Sequence, residues 1–259
     1  MITLLTDFGL RDSYVGVMKG VITQIAPAAM IIDLAHQIPS QSIAAARFNL
    51  LTAFPYFPPG TIHVAVVDPG VGSKRRAIAL KLEQGFLIGP DNGIFSGILE
   101  DHPAIAAIEL NQPAYWRVPT PSNTFHGRDI FAPAAAHLDA GVPFEALGTP
   151  IDPDSLNRIA FRPYAEHEQG FVGCIQYIDH FGNLMTNIPG QVVGDRPWQV
   201  KIGSTLIPSH QIYGDTLIGT VLSLIGSHGW LEVAVNGGSA ESTLGVRLGD
   251  LVQVILDKR

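Results

Sequence analysis

The chain has 259 residues, 46% of them hydrophobic, and a formal net charge of −7. That length suits one large domain or two modest ones, with enough apolar side chain for a core that needs no staple. Lys and Arg form no long run or helical stripe, the densest cluster being Lys74-Arg75-Arg76, so a nucleic-acid partner is not expected.

The opening Met1-Ile2-Thr3-Leu4-Leu5-Thr6-Asp7 carries no basic n-region and no small-residue cleavage site. It reads as a first strand rather than a signal peptide. Asp12 or Ser13 then caps a helix in which Tyr14, Val17, Met18, Val21, Ile22 and Ile25 recur at helical spacing, ended by Pro27. Residues 30–34 are the next strand, 42–54 repeat the helical pattern through Ile43, Leu50, Leu51 and Phe54, and 61–67 are a β-branched strand. Further strands are expected at 77–82, 86–89 and 105–110, a turn at Pro90-Asp91-Asn92-Gly93, and a helix over 129–140 with Pro133 near its start. Strands alternating with helices imply parallel pairing.

From about Pro150 the texture changes to polar, proline-bearing chain without periodicity, then to short strand-like pieces at 170–177, 184–188, 198–202, 231–235 and 250–256. The fold expected is therefore α/β. An N-terminal α/β sandwich domain with a mainly parallel sheet spans 1–155, a linker 156–168, and a smaller β-rich C-terminal domain 169–259. No apolar run reaches the roughly 18 residues of a spanning helix, although mean hydropathy is +0.23. The single cysteine, Cys174, excludes an intramolecular disulfide and fits a cytoplasmic setting. Within its strand pattern it reads as a small buried hydrophobe.

Asp7, Asp33 and Asp68 fall where strands are expected to end, and open α/β sheets bind ligands outside the carboxyl ends of strands. Glycine-containing loops follow Asp7 and Asp68, so chain can approach a ligand closely. Aspartate after a strand is also ordinary turn chemistry. The stretch from Asp68 to Arg76 is not a phosphate loop, because its glycines stand two apart, and it lacks the third glycine of a dinucleotide fingerprint. Thr124-Phe125-His126-Gly127-Arg128-Asp129 is the second dense cluster, placing a histidine, an arginine and an aspartate at a helix entry. Asp129 there also suits the helix dipole. The nine histidines form neither His-x-His nor His-Glu-x-x-His, there is no cysteine pair, and no Gly-x-Ser-x-Gly elbow occurs. No metal and no cofactor is expected.

Taken in order, these segments resemble the S-adenosylmethionine hydroxide adenosyltransferases, relatives of fluorinase and chlorinase. The resemblance rests on Thr6-Asp7-Phe8-Gly9 with Asp12-Ser13-Tyr14, Asp33-Leu34-Ala35-His36, Val67-Asp68-Pro69-Gly70-Val71-Gly72, and the cluster from Thr124 to Asp129. It continues through Asp179-His180-Phe181-Gly182-Asn183 with Thr186-Asn187, and Leu231-Glu232-Val233-Ala234-Val235-Asn236. It implies a homotrimer whose site lies between one subunit's N-terminal domain and a neighbour's C-terminal domain. It implies hydrolysis of S-adenosyl-L-methionine, by family the R sulfonium epimer, to adenosine and L-methionine. Asp68, Arg75 and His126 then match the water-handling triad. Asp7 matches the acceptor of the ribose hydroxyls, Phe181 the wall against adenine, Asn183 the reader of its edge, and Asp179 the partner of the methionine ammonium. Ser227, Glu232, Val235 and Asn236 match the remaining substrate contacts.

Three other readings compete, one of them an unrelated metal hydrolase, from which insensitivity of activity to chelators would separate this chain. A halogenase of this fold places a tyrosine where Asp68 stands. A carboxylate about 4 Å from a halide repels it by about 4 kcal/mol at an effective dielectric of 20, close to a thousandfold in binding. Gly127 also lacks the hydroxyl that fluoride-using relatives carry there. A non-catalytic adenosine or S-adenosylmethionine binder would need none of Asp68, Arg75 and His126 together.

Overall fold

The computed structural model describes residues 1–159 and 162–256. The first unit is Met1–Ile159, and the remaining described residues form a second. Of the stretch 156–168 expected as a linker, residues 160 and 161 lie outside the described residues.

In the first unit, β1 (Ile2–Thr6) is buried throughout and leads into α1 (Tyr14–Ile25); Ser13 occupies the N-cap position, but its side chain makes no capping hydrogen bond, contrary to expectation. Val15, Met18, Val21 and Ile22 of α1 are buried, whereas Tyr14 and Val17 stay exposed. Then come β2 (Ile31–Ala35), α2 (Ile43–Ala53), β3 (Thr61–Val66), β4 (Ala77–Lys81) and β5 (Gly85–Pro90). The Ser42 hydroxyl caps α2 by accepting the Ala45 N–H at 3.4 Å. A one-turn α3 (Ile98–Asp101), β6 (Ala106–Glu109), α4 (Ala132–Asp139) and β7 (Thr149–Ile151) complete the unit. Pro133 sits in the first turn of α4, and the Asp129 carbonyl four residues before it accepts the Arg117 N–H instead, at 3.0 Å.

These strands form one sheet in the order β2-β1-β3-β5-β4-β6-β7. The expected parallel character holds for only half of it. β1 runs parallel to β2 and β3, and β3 to β5, but β4–β5, β4–β6 and β6–β7 are antiparallel. The sheet is mixed because only residues 82–84 separate β4 from β5. That is far too short for a crossover, so the two strands close as a hairpin. Ile2, Leu4, Ile62, Val64 and Val66 join α1 and α4 in one core cluster. On the opposite face, Phe54 after α2 packs on His63, ring centroids 5.2 Å apart. Helices thus cover both faces of the parallel part.

The second unit contains β8 (Ala165–His167), β9 (Gly170–Ile178), β10 (Leu184–Pro189), β11 (Trp198–Ile202) and β12 (Thr205–Pro208). They are followed by β13 (Val221–Ile225), β14 (Trp230–Val235), a short α5 (Ala240–Leu244) and β15 (Leu251–Leu256). All pair antiparallel, in the order β12-β11-β15-β9-β10-β14-β13 with β8 added to β9. A bridge between Ser209 and Ser223, with His210 N–H on the Ser223 carbonyl at 2.8 Å, brings the two ends together. The sheet is therefore nearly closed and barrel-like. Ile175, Leu184, Trp198, Val200, Leu231, Val233, Val252 and Val254 are among the residues of its core, and Cys174 is buried.

Candidate active site

β1 and β3 are parallel neighbours, with Thr6 paired to Val66. Their carboxyl ends therefore deliver Asp7 and Asp68 side by side, where an open α/β sheet presents its ligand site. Both border a cleft of about 390 Å³. Asp33 does not join them. It lies within β2, not at its end, and its carboxylate meets Lys19 Nζ at 2.6 Å and His36 Nε2 at 3.0 Å.

The loop after Asp68 folds tightly. Val71 N–H reaches the Asp68 carbonyl at 3.2 Å, Ser73 N–H the Gly70 carbonyl at 3.1 Å, and the Ser73 hydroxyl accepts the Arg75 N–H at 3.2 Å. Gly72 sits at φ +75°, with the Asn123 carbonyl 2.3 Å from where a Cβ would lie, so no side chain fits there. Upstream, Asn92 of the turn after β5 donates its amide to the Val67 carbonyl at 2.8 Å.

Those turns return Arg75 to Asp68, seven residues back. Arg75 Nε donates to Oδ1 at 2.9 Å and to Oδ2 at 3.1 Å, and Nη2 also donates to Oδ2. The same Nη2 lies 2.7 Å from His126 Nδ1. The guanidinium carbon lies 5.3 Å from the centroid of the fully buried Phe131 ring. Asp68, Arg75 and His126 are thus one hydrogen-bonded assembly. A guanidinium only donates, so Nδ1 must be the acceptor and Nε2 carries the proton of a neutral ring. Burial and then the Arg75 charge push His126 below its ordinary value, against the opposing pull of Asp68 and Asp129.

His126 opens a π-helical turn, Gly127–Phe131, that runs into α4. The helix expected to begin at Asp129 therefore begins as a π turn, a feature that concentrates at functional sites. Asp129 is fully buried inside it. Arg117 Nε donates to it at 2.5 Å, Arg128 Nε at 2.7 Å, Arg128 Nη2 at 2.8 Å and the Ser122 N–H at 2.9 Å. Burial works against its charge, yet the Arg128 and Arg117 hydrogen bonds hold the carboxyl well below the usual range. Asp129 thereby ties the approach loop to the turn that presents His126. Phe8, Tyr14 and Phe125 line the cleft and pack edge to face, with centroids 5.3 to 5.9 Å apart.

In the second unit a separate cleft of about 470 Å³ is lined by Phe181, Asn183, Tyr213, Val235, Gly237 and Gly238. Phe181 is 71% exposed at the β9–β10 loop. Asp179 organises that loop. Its Oδ1 accepts the Phe181 N–H at 2.9 Å and the Asn183 N–H at 2.8 Å, and its Oδ2 accepts Asn183 Nδ2 at 3.0 Å. Glu232 is buried, accepting the Tyr213 hydroxyl at 2.7 Å and lying 3.2 Å from His228 Nε2. Burial and the Glu232 hydrogen bond push the Tyr213 hydroxyl up. Asn236 donates its amide to the Thr216 carbonyl at 2.7 Å, and Ser227 is exposed between β13 and β14. Asp179, Ser227, Glu232 and Asn236 do not border this cleft. Sequence reasoning missed Tyr213 and Gln41, which line the two clefts. Tyr213 stands in an aperiodic loop, and its only signal was an aromatic beside the Gly214-Asp215 turn.

Among the described residues no group of three or more His, Cys, Asp or Glu is placed to hold a metal ion, and no helix is long and apolar enough to cross a membrane.

Two family models match, the SAM hydroxide adenosyltransferase N-terminal domain over residues 2–148 and its C-terminal domain over 173–253. The chain belongs to the SAM hydroxide adenosyltransferase family. It is 40% identical to the (R)-S-adenosyl-L-methionine hydrolase of Thermus thermophilus, covering 97% of this chain and 98% of that one. It is 37% identical to the protein of that name from Salinispora arenicola, over 98% and 97%. The fluorinase of Nocardia brasiliensis is more distant, 25% identical over 98% and 96%. Among solved structures, an uncharacterized conserved protein from Thermotoga maritima superposes with a TM-score of 0.91 at 37% identity, covering 98% of this chain and all of that one.

Proposed function

We propose that this chain is a hydrolase that cleaves (R)-S-adenosyl-L-methionine with water at ribose C5′, giving adenosine and L-methionine. The observation that carries this reading is the assembly of Asp68, Arg75 and His126 at a cleft of nucleoside size. Family membership and relatives of 37–40% identity named for this activity support it.

The reaction is a nucleophilic substitution. The water oxygen bonds to C5′, the C5′–S bond breaks, methionine leaves as a neutral thioether, and one proton is released. An ordinary carboxyl, with a pKa of about 3.9, is far too weak a base to ionise water beforehand. Asp68 and His126 therefore orient the water. Asp68 accepts a water hydrogen, His126 donates Nε2–H to the oxygen, and the proton departs as or after the C–O bond forms. Holding the nucleophile in line supplies much of the rate, and as the C–O bond forms positive charge passes from sulfur toward the water oxygen, where the Asp68 carboxylate stabilises it.

Asp7 accepts the ribose hydroxyls, Phe181 and Val235 flank adenine, and Asn183 reads its edge. Asp179, Ser227, Glu232 and Asn236 serve the rest of the substrate. We place the enzyme in the cytoplasm as a homotrimer, in which neighbouring copies supply the second unit's residues to the cleft of the first.

Water is favoured over halide at two positions. The Asp68 carboxylate, paired with Arg75, offers an acceptor that a water hydrogen can use and a halide cannot. A Cβ at Gly127 would lie 3.2 Å from Met18 Sδ and 3.3 Å from Phe125 Cε2, so a hydroxyl-bearing side chain is crowded there. Chromatography of the protein with each sulfonium epimer, with and without chloride, tests the function. The expected result is adenosine and methionine from the R epimer and no 5′-chloro-5′-deoxyadenosine. Abundant chlorinated product, or no cleavage of either epimer, would overturn it.

A further inference from the structure

Gln41 is the one described residue other than glycine with a positive φ, at +63°. It is the third residue of a turn in which Ser42 N–H bonds the Pro39 carbonyl at 2.9 Å. Turns with a positive φ at that position call for glycine or asparagine, and glutamine there is strained. Nothing in the turn uses its side chain. Two other observations concern the site. The Gln41 N–H donates to Asp7 Oδ2 at 2.8 Å, and Gln41 borders the cleft alongside Asp7 and Asp68.

We propose that Gln41 is a specificity-determining residue of the sugar subsite. Its backbone N–H fixes the Asp7 carboxylate, and its carboxamide takes a hydrogen bond from the same ribose diol. This rests on the nucleoside reading above. It explains why a strained position keeps a long amide. Glycine would hold the turn and the Asp7 contact more comfortably, and would lose only the group that reaches the ligand. An amide both donates and accepts, so it distinguishes a hydroxyl from a hydrogen at the sugar carbon.

The test is calorimetric titration of adenosine, 2′-deoxyadenosine and 3′-deoxyadenosine into the full-length wild type, Gln41→Gly and Gln41→Ala, with the Tm of each. In the wild type, adenosine is expected to bind more tightly than at least one deoxynucleoside. Gln41→Gly should weaken adenosine about three- to tenfold, the worth of one hydrogen bond. It should shrink the preference over the deoxynucleoside and raise Tm by about 2 °C. Gln41→Ala should show the same weakening without the gain in Tm. During turnover the loss falls more on KM than on kcat. Unchanged adenosine affinity and preference in Gln41→Gly, or a lowered Tm, overturns the proposal, as does a wild type that binds no adenosine. A wild type that binds adenosine but cleaves neither epimer sinks the hydrolase reading alone.

Discussion

An arginine N–H can only donate, so the contact of Arg75 Nη2 with His126 Nδ1 decides which face of the imidazole the cleft meets. The ring carries its proton on Nε2, and in the proposed mechanism it donates to water while Asp68 accepts. Arg75 thus has a second task besides holding Asp68. Its charge helps keep the histidine neutral, and its guanidinium carbon lies over the Phe131 ring. A different histidine governs stability. His63 lies buried in β3, its Nδ1 2.8 Å from the Thr3 hydroxyl, and burial pushes it down to about 4. The unfolded chain takes up that proton near pH 6.5, so the native state loses stability as pH falls from 6.5 toward 4. Linkage puts the loss between pH 7 and pH 5 at about 2 kcal/mol. Denaturant titrations at the two pH values check this against His63→Gln, whose own loss should be smaller by that amount. Equal losses would show that His63 does not titrate with folding.

At the scale of elements, the parts legible in the chain were those with strong period. β1 to β6, β9, β10, β11, β14 and β15 fall within a residue or two of expectation, as do α1 and α2. Asp7 and Asp68 were readable as carboxylates after strands because the flanking runs are β-branched and the following loops carry glycine. Their neighbour Asp33 was not, because β2 continues through it to Ala35. β12 escaped notice since only Ile207 of its four residues is buried, which leaves no alternation to see. The mixed sheet was missed for a related reason. Alternation marks a strand, but strand direction depends on the connection, and the three-residue link between β4 and β5 outweighs the helical rhythm around it. The approach of Arg75 to Asp68 could not be read from spacing either. It depends on two consecutive turns and on a positive φ at Gly72, where the Asn123 backbone leaves no room for a side chain. Only the family resemblance puts Asp68, Arg75 and His126 together at the level of sequence.

At the scale of the whole molecule, the candidate residues are divided between two units, and each unit carries its own cleft. The proposed homotrimer would let residues of the two clefts act on one substrate. Sedimentation equilibrium should therefore read three times the 27.8 kDa chain mass, and a monomer at working concentration would remove that part of the account. The central claim is narrower: Asp68, braced by Arg75 and accompanied by His126, aligns one water with C5′. Asp68→Asn changes the charge and one acceptor while keeping the shape. Its kcat on (R)-S-adenosyl-L-methionine, measured beside its adenosine Kd, is the most direct test. The account predicts a fall in kcat of at least about a hundredfold, with Kd held within about threefold. A variant that turns over at the wild-type rate would contradict it.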